Sequence, residues 1–228
     1  MRRVTRVLLR PRATMAEVVR HPAFITTWVV VLLVVGICGG LLLSTPIGQQ
    51  ALVDERVRVT EAMGGRVDDA TYARLQNDPP VSIYLTSGGR LLLTPPVTIA
   101  VAAGLLLLAR LDGSRVTFVT ALAIAVHATV VLALQQVIAT PVHYLYESLT
   151  SPTNLGGVLR LFDEGSLPAR LLGTIDVFGL WWMWLLAVGV SAATTRPARR
   201  YIWKLLAVYI GIAAIVAAVF AVLGAGIS

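Results

Sequence analysis

The 228-residue chain is poor in cysteine, in lysine and in charge altogether. Its one cysteine, Cys38, lies inside an apolar run, so neither an internal disulfide nor a cysteine-based metal cage can form. Only 14% of residues are charged while 57% are hydrophobic, and the mean hydropathy of +0.79 does not describe a water-facing surface. There is no HExxH, no glycine-rich phosphate cradle, no internal repeat and no serine or cysteine nucleophile with a nearby His and Asp. Those absences argue against a metalloprotease, a nucleotide-binding domain and an intramembrane hydrolase. No cofactor, no metal and no enzymatic activity is expected.

What is present is apolar length. Five segments are long enough to cross about 30 Å of hydrocarbon as helices: Ala23 to Leu43, Leu91 to Ala109, Thr117 to Ile138, Leu171 to Ala193 and Leu205 to Leu223. Backbone donors in lipid must be satisfied within their own segment, and no ten-residue alternating pattern points to a barrel. The expected fold is an all-α integral membrane protein. It is a five-transmembrane-helix bundle (23–228) with an N-terminal amphipathic helix (1–22) and short helical loop segments. The basic head is too long, and Pro46 too badly placed, for the first run to be a cleaved signal peptide.

Of 19 basic residues only Lys204 is lysine, and their distribution orients the chain. The N-terminal arm, the loop with Arg110 and Arg115, and the segment with Arg196, Arg199, Arg200 and Lys204 place twelve on one side. Seven lie on the other, in longer loops that carry nearly all the acids. The bias puts the N-terminus in the cytosol and the C-terminus outside. Basic residues at span edges suit lipid headgroups rather than nucleic acid, with Arg6, Arg10, Arg12, Arg20, Arg199 and Arg200 as the contacts.

In the arm, Thr14 and Glu17 have capping-box spacing, and Met15, Val18 and Val19 share an apolar stripe. That stripe suits either an anionic lipid surface or packing on the protein. The first outside loop has room for two helices, roughly Gln49 to Met63 and Asp69 to Gln76, separated by Gly64-Gly65 and with Asp68 or Asp69 as the second cap. In the third loop, Leu155, Val158, Leu159 and Phe162 recur at helical spacing before Gly165.

Polar residues inside spans are costly and therefore informative. Asp176, read as about five residues inside the fourth span, shares an outer-leaflet depth with Gln135, Gln136 and Thr94, with Arg90 nearby. This polar layer is either a substrate, ion or headgroup site or a set of helix-to-helix hydrogen bonds. His127 falls near the middle of the third span, where a proton relay would need a second group at its depth. His143 and Glu147, four apart, can share a helical face but do not by themselves make a metal site. Trp203 and Tyr201 read as interfacial anchors, and the deeper Trp182 and Trp184 as packing. Gly36 and Gly40 form a small-xxx-small face.

The order of features resembles the Yip family, the Ypt- and Rab-GTPase-interacting membrane proteins, in its bacterial branch. The resemblance rests on the lead-in between Pro11 and Pro22, the five spans, the short loop "RLDGSRVTF" and "IDVFGLWWMWLLAVGV". In the last of these, Asp176, Phe178, Trp181, Leu185 and Gly189 match the family pattern. It implies a five-helix membrane protein with a cytosolic N-terminus. The chain departs from eukaryotic relatives in lacking their long cytosolic N-terminal domain and its "DLYGP" segment. Small-GTPase binding is therefore not carried over, and no GTPase-contact residues are assigned. The expected role is non-enzymatic, in membrane organisation or in binding a membrane-protein partner or a second copy. The alternative is a small transporter or lipid-translocating protein using the polar layer around Asp176.

Overall fold

The computed structural model describes residues 2–77, 80–149, 153–154, 175–194 and 196–225, and every regular element among them is helical. The chain divides into two compact units. The first comprises Met1–Gly36, Arg90–Gln136 and Phe178–Val208, and the second Ile37–Gly89, Val137–Val177 and Tyr209–Ser228.

The arm folds as two short helices, α1 (Arg2–Leu9) and α2 (Pro11–Arg20). Proline at the first helical position starts α2, so the helix begins three residues before the expected cap. Thr14 is consequently inside α2, where its hydroxyl donates back to the Arg10 carbonyl at 2.9 Å instead of capping. Next come α3 (Ile25–Leu43), α4 (Pro46–Ala62) and α5 (Asp69–Gln76). Thr45, a cap not anticipated from the sequence, accepts from the Gly48 N–H at 3.0 Å and starts α4 with Pro46 at its first turn. Asp68 caps α5 by accepting from the Thr71 N–H at 2.8 Å. Gly64 makes the bend between α4 and α5 at φ 85°, a conformation that favours glycine. Across that bend Tyr72 donates to Asp54 at 3.0 Å and accepts from Gln50 at 2.7 Å, closing a hairpin.

The helix that carries the second apolar segment is longer than that segment. Helix α6 (Pro80–Leu111) already begins at Pro80 and contains Pro95 and Pro96 in its interior. A proline can nucleate a helix that continues through Gly88, Gly89 and Arg90, residues that lower hydropathy without ending the hydrogen-bond ladder. The third apolar segment is also longer than expected. It forms α7 (Phe118–Ala128) and α8 (Val130–Leu145), interrupted at Thr129, whose hydroxyl donates to the Ala125 carbonyl at 2.8 Å. The last two helices are α9 (Val177–Thr194) and α10 (Ala198–Ala225). The expected helix through Leu155, Val158, Leu159 and Phe162 lies outside the described residues.

Among the described residues, four helical stretches are long and apolar enough to cross a membrane: Ile25–Leu43, Leu91–Leu111, Phe118–Leu145 and Val177–Thr194. Their outward faces are apolar as well. Ile25, Val29, Leu33, Ile37 and Leu41 recur every fourth residue along α3, and all are exposed. A contiguous bare stripe of that length is a lipid-facing surface, since water would not tolerate it.

Candidate functional site

The first unit is built around α7. Every residue from Ala121 to Ala128 is buried, and four of the helix's eleven side chains are alanine. Small side chains let neighbours approach closely, which matters in lipid because packing rather than water exclusion drives helix association. Gly189 on α9 uses that proximity most fully: a Cβ added there would stand 2.3 Å from Ile124 Cγ2. Leu185, one turn earlier on α9, is fully buried. Between Leu105, Ala109, Val116, Ala121, Ile124, Val190 and Ala193 the remaining gap is too small to admit a water molecule.

His127 sits at the end of α7 with no exposed surface. Its Nδ1 lies 2.8 Å from the Ala123 carbonyl, which can only accept, so Nδ1 carries the hydrogen. In the neutral ring Nε2 then accepts from the Thr27 hydroxyl at 3.1 Å. Both ring nitrogens are thus satisfied by neutral groups, as a neutral imidazole requires. Thr27 is the third residue of α3, and a direct side-chain bond holds His127 within about one helical turn of that level. The ring is accordingly near the start of the first span, not at mid-depth as its position along the third segment implied. The 28 residues of Phe118–Leu145 explain the difference, since at 1.5 Å each they reach about 42 Å against about 30 Å of hydrocarbon.

The arm packs against α7. Helices α1 and α2 pack on each other and on α7, with Val7, Met15 and Val18 fully buried. The apolar stripe of α2 is thus spent on protein contacts. Glu17 joins the two arm helices by accepting from Arg3 at 3.0 Å and from Arg6 at 3.1 Å. The Arg3 hydrogen bond, aided by the attraction of Arg3, Arg6 and Arg20, holds its carboxyl below the ordinary 4.5. Arg10, Arg12 and Arg20 remain exposed.

A second polar cluster, not anticipated from the sequence, ties the α6–α7 connection to the start of α10. The Asp112 side chain is only 3% exposed and accepts from Arg200 at 2.8 Å and from Lys204 at 3.1 Å through the same oxygen. Burial opposes its charge, but the hydrogen bonds from Lys204 and Arg200, with the attraction of Arg200, outweigh that cost and hold its carboxyl below the ordinary 3.8. Tyr201, fully buried, donates to Thr194 at 2.9 Å and so links the end of α9 to α10. The one signal for this clasp in the sequence is that Asp112 is the sole acid between Asp78 and Glu147, with arginines on either side.

The residues of the expected polar layer fall in both units. Asp176 stands one residue before α9, not five residues into a helix. It pairs with Asn154 in an isolated bridge and accepts from the Thr153 hydroxyl, all within the second unit. Gln135, Gln136, Thr94 and Arg90 belong to the first unit, where the Thr94 carbonyl accepts from Thr98 at 2.7 Å. His143 and Glu147 do not share a helical face. The helix ends at Leu145, Glu147 turns at φ 51°, and His143 donates to the Ser148 carbonyl at 2.7 Å. Phe178 and Trp181 stack one turn apart at 6.2 Å.

A family model, the Yip1 domain, matches residues 5–223, nearly the whole chain. The chain therefore belongs to the Yip1-domain family of polytopic membrane proteins, which are generally non-enzymatic. Comparison with curated proteins and with solved structures finds no match.

Proposed function

We propose that the chain is a five-span organising or partner-binding component of a bacterial cytoplasmic membrane, with α10 (Leu205 to Leu223) as the fifth crossing, its N-terminus cytosolic and its C-terminus outside. The observation that carries this reading is the closed interior around α7. Transport demands a hydrated path, and here His127 is fully enclosed by neutral partners while the neighbouring gap toward the end of α6 admits no water. A neutral imidazole with both nitrogens satisfied is a positioning element between α3 and α7 rather than a proton carrier. The hairpin of α4 and α5 supplies a preorganised polar surface on the outer side for a membrane-protein partner or a second copy.

Flux through proteoliposomes tests the role. No leak of protons, small ions or labelled lipid above protein-free vesicles is expected, and specific flux abolished by Asp176→Ala would return the translocating reading. Single-cysteine labelling in right-side-out cells tests the topology. Cysteines at positions 5 and 227 should label from opposite faces, and labelling of both from one face would remove the fifth crossing.

A further inference from the structure

The first unit holds only two acids, Glu17 and Asp112. Asp112 is the only acid between Asp78 and Glu147, and none follows Asp176. Around Asp112 the clasp gathers Arg200 and Lys204 from α10, with Arg110 and Arg115 flanking it in sequence and Arg199 beside Arg200. One carboxylate thus stands among five cations in the sequence around the clasp. Among the described residues the cations that Asp112 engages are Arg200 and Lys204, and Arg110, Arg115 and Arg199 are exposed.

The helical register of α10 adds an apolar neighbour to this charge. Tyr201 and Leu205 point inward and are buried, whereas Arg199, Trp203 and Ala207 fall on one exposed stripe at steps of four residues, with Trp203 63% exposed. A guanidinium, then an indole, then small apolar surface is the polarity profile of a phospholipid read from headgroup to chain. An acidic protein segment or a nucleic acid would match the arginines but not the bare indole beneath them.

We propose that this rim is a binding site for an anionic phospholipid, whose phosphate lies against Arg199, Arg200 and Arg115 and whose glycerol and upper chain lie along Trp203. Asp112 sets the strength of the site, because it neutralises part of the charge while fixing Arg200 and Lys204 in place. The site rests on the topology above only for its assignment to the cytosolic leaflet.

The experiment is lipid retention by the purified full chain in neutral detergent, read by native mass spectrometry. Phosphatidylglycerol and phosphatidylcholine of equal chain length are titrated separately. Phosphatidylglycerol should be retained in preference, and Arg199→Gln and Arg115→Gln should each weaken it about fivefold, the usual contribution of one basic residue near an anionic surface. Asp112→Asn keeps an acceptor for Arg200 and Lys204 but removes the negative charge, so it should strengthen retention by a similar factor. Equal retention of the two lipids, or exposed-arginine variants that bind like the wild type, overturns the site. Asp112→Asn protein that melts earlier and binds no more phosphatidylglycerol marks the cluster as a structural clasp only and also overturns it. Displacement of the lipid by a polyglutamate peptide at equal concentration would assign the rim to an acidic protein segment instead. Retention does not depend on which leaflet the site faces, so a wrong topology appears in cysteine labelling while the lipid result stands.

Discussion

Helix α3 and the stretch Phe118–Leu145 have similar hydropathy, 2.5 and 2.0, yet opposite surroundings. In α3 17% of the most apolar window is buried, and in Phe118–Leu145 it is 72%. Hydropathy says that both can sit in lipid; side-chain size decides which one sits in the middle. Helix α3 carries Ile25, Val29, Leu33, Ile37 and Leu41 outward, where lipid tails solvate them as well as protein would. Helix α7 is threaded with alanine, so its neighbours come close enough for dispersion contacts to hold them, the main term left when no water is excluded.

Substituting the glycines of the two regions should break or confirm that contrast with the largest effect. Gly189→Leu forces a side chain into the Ile124 methyls, and Ile124 is β-branched, buried and unable to swing aside. A cost at or beyond about 1–3 kcal/mol is expected, seen as loss of monodisperse protein or a large fall in melting temperature in detergent. Gly39→Leu on α3, where nothing lies within 4 Å, should leave melting unchanged. Equal outcomes for the two variants would mean that α7 is not the packed centre.

A smaller effect is expected at the bond that joins the two helices. His127→Leu removes the acceptor of Thr27, leaving a hydroxyl buried without its partner at a cost of about 1–3 kcal/mol. Thr27→Val removes the other half, and the double variant should recover part of the loss. A double-mutant cycle with coupling near zero would show that the pair does not hold α3 at the level of α7.

Much of this arrangement was legible in the residues and part of it was not, for separable reasons. Spans near 23–43, 91–109 and 117–138 follow from apolar length alone, and the α4–α5 hairpin from Gly64 and Asp68. Thr27 and His127 are 100 residues apart, so nothing local marks them as partners, and depth counted along one helix cannot register that this helix overshoots the bilayer. Hydropathy blurs a helix start by several residues and so sets Asp176 inside a helix that begins only at Val177. The Asp112 clasp has no local signature, because a lone acid among arginines reads as a solvated turn. Its burial depends on α9 and α10 meeting through Thr194 and Tyr201.

The same clasp extends the contrast to charge, which α7 excludes and the rim accommodates. Because the folded Asp112 carboxyl is held below 3.8, its contribution is fully present above that ordinary value. It is lost as the pH falls through the depressed folded value. Melting temperature in detergent should therefore be flat from neutral pH down to about 4 and fall below it, while Asp112→Asn should flatten the acid limb. An acid limb of equal steepness in the variant would assign the loss to other carboxylates, Glu17 first, since it is depressed by Arg3 in the same way.

The smallest effect belongs to the bare face of α3, and its smallness is the point. Leu33 is 56% exposed on the stripe shared with Val29 and Ile37. If that stripe meets only lipid, Leu33→Ala exchanges one apolar environment for another in both the folded and the unfolded membrane states, and no cavity forms. The expected change is within about 0.5 kcal/mol, independent of protein concentration. A buried leucine of the first unit, Leu185, behaves differently, because its truncation leaves a void that α9 and its neighbours cannot close, at about 2–5 kcal/mol. A loss at Leu33 approaching that at Leu185, and growing on dilution, would mean that a second copy or another membrane helix covers α3. The outer stripe would then be a packing surface like α7, and side-chain size alone would no longer separate the two helices.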